Sequence, residues 1–269
     1  MNAARVIVTR PERDAAGWVQ ILQAHGLQAE ALPLIEIAAL PETAALQQAW
    51  REIDAYSALM FVSGNAVDGF FASNQAAALV QKVKAATDSV ASPGPRFLAP
   101  GPGTVAALRR AGVPDALIDA PAADAGQFDS EALWAVVGRR HWQGRRVLIM
   151  RGQGADKDQV GGAGRDWLAQ QFVAAGARVD VVAVYQRRAP VFTESQRQRI
   201  EAAAHDGSVW LLSSSEALAH LPAGDWSRAR AVATHPRIAE AARAAGWGVV
   251  VQSRPEITDI VGSIESIPP

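Results

Sequence analysis

The chain has 269 residues, 49% of them hydrophobic and 20% charged, and its 26 basic and 27 acidic residues give a formal net charge of −1. This length predicts one large or two ordinary domains, and the balanced charge argues against a dedicated nucleic-acid-binding protein. Because the chain has no cysteine, disulfides, thiolate nucleophiles and cysteine-based metal sites are excluded. No signal-like segment or membrane-length apolar run occurs, so we expect a soluble, cytoplasmic protein.

Two halves of the chain resemble each other. In each half an apolar run ends in arginine and is followed by an amphipathic stretch that glycine closes. The matching segments are 5–10 with 146–151, 58–66 with 209–217, and 97–112 with 231–246. Their uneven spacing excludes a short-period repeat and indicates a degenerate duplication. Two similar α/β units are therefore predicted.

Short apolar runs bounded by turn residues alternate along the chain with alanine-rich stretches of helical spacing. The runs predict buried strands at 6–9, 59–62, 97–99, 147–150, 209–212 and 231–233. The stretches between them predict helices at 14–25, 66–72, 104–111, 130–137, 166–175, 195–204 and 236–245. Gly26, Gly112, Gly176 and Gly246 are expected to end four of these helices in a left-handed conformation. This alternation predicts doubly wound parallel sheets.

Segments 32–37 and 181–187 differ from the other predicted strands. Each is extended, follows a helix and leads into a new unit. They are either paired connectors between two domains or ordinary strands of a sheet, and the pattern alone favours neither interpretation.

Candidate binding residues lie where predicted strands pass into helices. In open parallel sheets ligands bind at the carboxyl ends of the strands, and helix N-termini there favour anions. The candidates are Arg10, Ser63, Gly64, Asn65, Ala66, Gly103, Thr104, Arg151, Ser213, Ser214, Ser215, His235, Pro236 and Arg237. An arginine can bind a carboxylate or phosphate through two hydrogen bonds. The serine, asparagine and histidine residues are also explained by helix capping without a ligand.

Other site signatures are weak. Gly152 and Gly154 follow a predicted strand, but Lys157 stands where a dinucleotide-binding motif needs its third glycine. The glycine-rich segment 152–164 is instead interpreted as an inserted loop. The five histidines are scattered, which predicts no metal site.

Tyr185 lies on the second connector-like segment, and Tyr56 is the only other tyrosine. A tyrosine hydroxyl can donate a proton to a departing oxygen. The alternative for Tyr185 is a half-buried strand residue, and this is the only interpretation of Tyr56.

The ordered set of segments resembles the uroporphyrinogen-III synthase family across nearly the whole chain. The stretches that carry the resemblance include VTRPERDAAGW, LMFVSGNAVDGFF, APGPGTVAALRRAGV, GRRVLIMRGQG, WLLSSSEALAHL and AVATHPRIAEAARAAGW. The resemblance implies an α/β fold in which two doubly wound parallel-sheet domains are joined by a two-stranded β ladder, one domain being discontinuous. It places the discontinuous domain at 1–35 and 188–269, the inserted domain at 39–180, and the linker at 32–38 and 181–187.

The resemblance also implies a reaction. Hydroxymethylbilane, a linear tetrapyrrole, would be cyclised to uroporphyrinogen III with inversion of ring D and loss of water, without cofactor or metal. Tyr185 matches the position of the family's linker tyrosine and would assist departure of the hydroxyl group. The chain departs from the family at Val62-Ser63, where Thr-Ser is common, and at 235–238, where Gly-Pro-x-Thr is common.

The resemblance implies that the protein is a monomer and that hydroxymethylbilane is its partner. Binding to nucleic acid or to a membrane is not expected. A transient contact with hydroxymethylbilane synthase is an open alternative. So is a non-catalytic ligand-binding or regulatory module of the same fold. A hinged small-molecule-binding protein would normally carry a secretion signal, which the sequence does not show.

Overall fold

The computed structural model describes residues 5–73, 75–87, 94–122, 124–154 and 163–267. Residues 155–162 of the predicted loop 152–164 lie outside these ranges. Contacts divide the chain into a first unit, Met1–Glu36 with Arg188–Pro269, and a second unit, Ile37–Arg187. Each unit contains a largely parallel sheet with helices, which confirms the predicted α/β class.

The elements follow one another in the alternating order that the sequence predicts. The strands are β1 (Arg5–Val8), β2 (Gln28–Ala31), β3 (Glu36–Ala39), β4 (Ala58–Phe61), β5 (Arg96–Leu98), β6 (Ile118–Asp119), β7 (Arg146–Gln153), β8 (Arg178–Arg188), β9 (Val209–Leu212), β10 (Arg230–Ala233) and β11 (Val249–Gln252). The helices are α1 (Glu12–Ala24), α2 (Ala44–Arg51), α3 (Gly64–Phe71), α4 (Ala76–Thr87), α5 (Pro102–Arg110), α6 (Ser130–Val137), α7 (Ala163–Ala174), α8 (Glu194–Ala203), α9 (Ser215–Leu218), α10 (Pro236–Ala244) and α11 (Ile257–Glu265).

The sheet of the first unit has the strand order β11-β10-β9-β1-β2. Its neighbouring strands are parallel, with Val6 opposite Ala29 on one side and Val209 on the other. Val6 and Val8 of β1 are fully buried against Leu22 and other apolar side chains. Because the strands are parallel, the turns that follow β1, β9 and β10 lie at one edge of the sheet.

The sheet of the second unit has the order β3-β8-β7-β4-β5-β6. The pairs β8/β7, β7/β4, β4/β5 and β5/β6 are parallel. Phe61 of β4 is fully buried and contacts the rings of Phe70 and Phe97, at centroid distances of 5.6 and 6.3 Å. This aromatic core fixes α3 on the face of the sheet.

Glycine ends four helices as predicted. Gly26, Gly112, Gly176 and Gly246 have φ angles of 81°, 88°, 85° and 84°, a region that costs little only for glycine. At the first of these, the Leu27 N–H donates to the Leu22 carbonyl, which closes the end of α1.

The two connector-like segments differ in structure. Residues 181–187 lie within β8, which pairs with β7 on one side and has β3 as its other neighbour. In the earlier segment the strand begins only at Glu36, so residues 32–35 precede it. The chain passes between the units at 36–37 and at 187–188. Among the described residues, no helix has both the length and the apolar character that a membrane crossing needs.

Candidate functional site

The Tyr185 side chain lies beside the start of α3 in the second unit. Its hydroxyl oxygen is 3.1 Å from Ser63 Oγ, although the ring is buried and only 5% of the residue is exposed. Ser63 is the N-cap of α3, and its Oγ accepts a hydrogen bond from the Ala66 N–H at 3.3 Å. The structure therefore brings together Tyr185, Ser63 and Ala66 from the predicted set.

An irregularity in the strand pairing sets the position of Tyr185. Arg151 pairs with Ala183, but the next residue, Gly152, pairs with Tyr185. Val184 is thus an extra residue in β8, and such a bulge changes the direction of the side chains around it. A Cβ on Gly152 would overlap the Tyr185 ring and lie 2.8 Å from its hydroxyl oxygen. The tyrosine ring can occupy this place because residue 152 has no side chain.

A second helix begins next to α3. A Cβ on Gly64 would lie 3.5 Å from the Gly103 carbonyl oxygen and 3.6 Å from the Ala107 Cβ, so the first turns of α3 and α5 adjoin. The first N–H groups of a helix have no acceptor within the helix, and they carry partial positive charge. Gly64, Asn65 and Gly103 thus present backbone donors at this place, while Thr104 is buried.

The two predicted arginines are not equivalent, contrary to the sequence comparison. Arg151 lies inside β7, which continues to Gln153, whereas Arg10 follows the end of β1. The Arg10 guanidinium lies 4.6 Å from the centre of the Trp18 ring. Burial lowers the pKa of Arg10, and the charge of Asp14 opposes that effect. Arginine remains protonated in proteins, so Arg10 places a positive charge near the carboxyl ends of the strands in the first unit's sheet.

In the first unit, the turns after β9 and β10 lie at the same edge as Arg10. His235 is the N-cap of α10, and its Nδ1 accepts the Arg237 N–H at 3.2 Å. The geometry therefore matches the capping alternative for His235, with Pro236 as the first helical residue.

The expected capping by the serine turn is wrong in its details. Ser214 is the N-cap of α9, but its side chain makes no capping hydrogen bond. The helix that begins at Ser215 has only four residues, so little of a helix dipole develops there. Ser213 directly follows β9 and stays at the edge of the sheet.

Tyr56 has a structural environment at the opposite edge of the second unit's sheet. Its hydroxyl donates to Asp180 Oδ2 at 2.9 Å, and the Arg146 guanidinium lies 4.6 Å from its ring centre. Burial and the Asp180 hydrogen bond raise the pKa of Tyr56. Arg146 begins β7, so Tyr56 lies at the amino ends of the strands, away from Tyr185.

The sequence did not link two glycines to Tyr185: Gly69 was not singled out, and Gly152 was considered only as part of a glycine motif. Gly69 and Gly152 both approach the β8 bulge so closely that a Cβ would overlap it. A glycine within a helix or strand pattern is a weak signal of close approach, and only the fold identifies what approaches. In the described part of the chain, no group of three or more His, Cys, Asp or Glu residues could hold a metal ion.

Helix N-termini at the carboxyl edges of parallel sheets, together with a tyrosine hydroxyl at one of them, define an α/β protein suited to anionic ligands and proton transfer. A family model described as uroporphyrinogen-III synthase HemD matches residues 16–262. The chain belongs to this family, whose members are lyases of porphyrin (haem) biosynthesis that act on tetrapyrroles.

Solved structures of this family have the same fold. A uroporphyrinogen-III synthetase from Helicobacter pylori is 14% identical, with a TM-score of 0.59 over 98% of this chain and 100% of that one. A mutant uroporphyrinogen III synthase from the extremely thermophilic bacterium Thermus thermophilus is 17% identical, with a TM-score of 0.51 over 98% of this chain and 96% of that one. At these identities the likeness demonstrates a shared fold.

Proposed function

We propose that the chain is a uroporphyrinogen-III synthase, which cyclises hydroxymethylbilane to uroporphyrinogen III with inversion of ring D and loss of water. Membership of the family supports this reaction. The observation that carries the proposal is the Tyr185 hydroxyl, held at the N-terminus of α3 by Ser63. A proton donor beside helix N–H groups suits a polycarboxylate substrate that loses a hydroxyl group.

The carboxylates of the substrate would bind at the carboxyl edges of both sheets. In the second unit the proposed contacts are Ser63, Gly64, Asn65, Ala66, Gly103, Thr104 and Arg151. In the first unit they are Arg10, Ser213, Ser214, Ser215, His235, Pro236 and Arg237. Backbone N–H groups supply many of these contacts, so the edges can bind acetate and propionate groups although the chain carries a net charge of −1.

Tyr185 is proposed as the proton donor for departure of the A-ring hydroxyl. The pyrrole nitrogen lone pair expels this oxygen, and the resulting azafulvene carbon is attacked by ring D through a spiro intermediate. Holding a flexible tetrapyrrole in the reactive conformation supplies much of the acceleration. The chain's own residues therefore bind and orient the substrate and transfer one proton, and replacement of Tyr185 slows the reaction without abolishing it.

We also propose the domain assignment that the resemblance implies, with 1–35 and 188–269 as one domain, 39–180 as the other and 32–38 with 181–187 as the linker. A monomeric, cytoplasmic enzyme is part of this proposal, as is a transient contact with hydroxymethylbilane synthase.

The decisive experiment supplies hydroxymethylbilane to the purified protein and separates uroporphyrinogen isomers I and III by chromatography. We expect isomer III with the protein and isomer I, the spontaneous product, without it. Isomer I alone in both samples would contradict the proposed function and favour a non-catalytic ligand-binding module of the same fold.

A further inference from the structure

We infer that Ser63 is a positioning residue for Tyr185, whose hydroxyl it orients and whose phenolate it stabilises once the proton has left. This inference rests on the proposed function, because it assigns a role within the proton transfer from Tyr185. It differs from the proposed substrate contact of Ser63, since here the serine hydroxyl acts through the tyrosine.

The position of Ser63 is fixed by the backbone. The residue is the N-cap of α3, with extended φ and ψ angles of −164° and 168°, and its Oγ accepts the Ala66 N–H. A serine hydroxyl has one proton and two acceptor lone pairs. The helix occupies one lone pair, so the proton and the other lone pair remain for the Tyr185 hydroxyl at 3.1 Å.

The direction of this hydrogen bond follows from the reaction. Either hydroxyl can donate while both carry a proton. After Tyr185 has given up its proton, its oxygen can only accept, and Ser63 then donates to it. A hydrogen bond to a charged group is stronger than one between neutral groups. The nearby N-terminus of α3 also favours the negative charge.

Two glycines hold the tyrosine against Ser63. Gly152 lies under the ring, and Gly69 of α3 lies against the bulged residue Val184. The bulge sets the direction of Tyr185, while the close approach at Gly69 sets the distance of α3 from β8. The helix α3 is capped by Ser63 and also lies against Val184, the residue before Tyr185. The same helix therefore sets the positions of both the Ser63 and the Tyr185 hydroxyl groups. The proton donor is therefore oriented before substrate binds.

The proposed step is balanced in atoms and charge. The C–O bond of the A-ring hydroxymethyl group breaks, and its electron pair leaves with the oxygen. The Tyr185 proton joins that oxygen to form water. An azafulvenium cation and a Tyr185 phenolate remain, and the phenolate accepts the Ser63 hydrogen bond.

The first test measures the formation of isomer III by Ser63 variants. Ser63→Gly removes the hydroxyl at little cost to the helix cap, and we expect kcat to fall about 10- to 100-fold with a smaller change in KM. Ser63→Thr keeps the hydroxyl and the cap and should retain most of kcat. In a Tyr185→Phe background, Ser63→Gly should cause no further fall. An equal fall in that background would show that Ser63 acts without Tyr185, which overturns the inference.

The second test does not depend on activity. The chain has two tyrosines, so 3-fluorotyrosine labelling gives two fluorine resonances, and Tyr56→Phe assigns them. Ser63→Gly should shift the Tyr185 resonance. Thr43→Ala is the matched control, because Thr43 caps α2, another eight-residue helix of the second unit. It should leave that resonance in place.

The two tests separate the inference from the proposed function. An unmoved Tyr185 resonance in Ser63→Gly would refute the contact even if the wild-type protein forms isomer III. Formation of isomer I alone by the wild-type protein would instead refute the proposed function and the catalytic part of the inference, whatever the fluorine spectrum shows.

Discussion

A Cβ on Gly69 would overlap the carbonyl oxygen of Val184 and lie 3.1 Å from its carbonyl carbon. Gly69 belongs to α3, and Val184 is the bulged residue of β8. The helix can therefore approach the strand this closely only with glycine at position 69. The contact sets the distance between the helix that begins at Ser63 and the strand that carries Tyr185.

Gly69→Ala should destabilise the second unit and lower the rate of isomer III formation. Relieving the overlap requires α3 to move from β8, and overpacking of this kind costs about 1–3 kcal/mol. Gly17→Ala is the control, because Gly17 lies within α1 and a Cβ there meets no atom within 4 Å. That variant should gain about 0.5–1 kcal/mol. Urea unfolding measures both, and equal stabilisation by the two substitutions would contradict the contact.

Gly152→Ala should displace the Tyr185 ring. The new methyl group would occupy space that the ring now fills, so the tyrosine hydroxyl would leave Ser63 and kcat should fall about as far as in Tyr185→Phe. Gly126→Ala is the control in the same unit, since a Cβ there meets nothing within 4 Å. Full activity of Gly152→Ala would show that the ring does not need its present position.

Replacement by phenylalanine should lower kcat at Tyr185 and lower stability at Tyr56. Tyr185→Phe removes the proposed proton donor and should lower kcat by about 100-fold or more without abolishing turnover. Tyr56→Phe removes a hydrogen bond to Asp180 and should cost about 1 kcal/mol of stability while kcat is retained. Parallel kinetics and denaturant unfolding measure both effects, and a large loss of kcat in Tyr56→Phe would reverse the assignment.

Asp119 should make stability depend on pH. Its carboxylate is buried and accepts hydrogen bonds from Arg96 and Arg140 at 2.6–2.8 Å. Burial alone would raise the pKa of Asp119, but the two arginines together outweigh burial and lower it. The resulting stability is fully present above the unfolded pKa of about 3.9, and it is lost as the pH falls through the lower folded value.

Asp119→Asn should therefore cost about 2–3 kcal/mol at neutral pH and progressively less in acid. Urea unfolding of both proteins at pH 7 and pH 3 measures the difference. Asp115→Asn is the control, because the Asp115 side chain is 67% exposed beside Arg109, and exposed pairs contribute about 1 kcal/mol or less. A loss in Asp119→Asn that does not change with pH would contradict this account.

The elements predicted correctly are those whose own residues determine them, such as a continuous apolar run or a glycine at the end of a helix. Fully buried runs such as β4 and β9, and helices closed by glycine, were placed within a few residues. Strand β2 (QAEA) was not predicted because it lies at an edge of its sheet, is only partly buried and carries a mixed rather than a continuous apolar pattern. Strand β11 (VVVQ) was missed although it is an apolar run, and it too lies at a sheet edge and is only partly buried.

The sequence proposed the members of the candidate site but not their contacts. The resemblance selected Tyr185, and turn chemistry selected Ser63, yet the two residues are 122 positions apart. Their contact depends on the bulge in β8, which follows from the pairing register and not from local propensity. Similarly, the sequence allowed both ligand binding and helix capping for His235, and only the geometry of α10 shows the capping hydrogen bond.

The discontinuous first unit has a consequence for synthesis on the ribosome. Strand β1 lies between β2 and β9, and roughly 180 residues separate the end of β2 from the end of β9. At about 5–20 residues per second, β9 is completed about 10–40 s after β2. Synthesis of the second unit is completed within this time, when Arg187 is added, whereas β1 keeps an unpaired edge of the kind that invites aggregation. A nascent chain halted between residues 188 and 208 is therefore expected to need chaperones that protect the unpaired edge of β1.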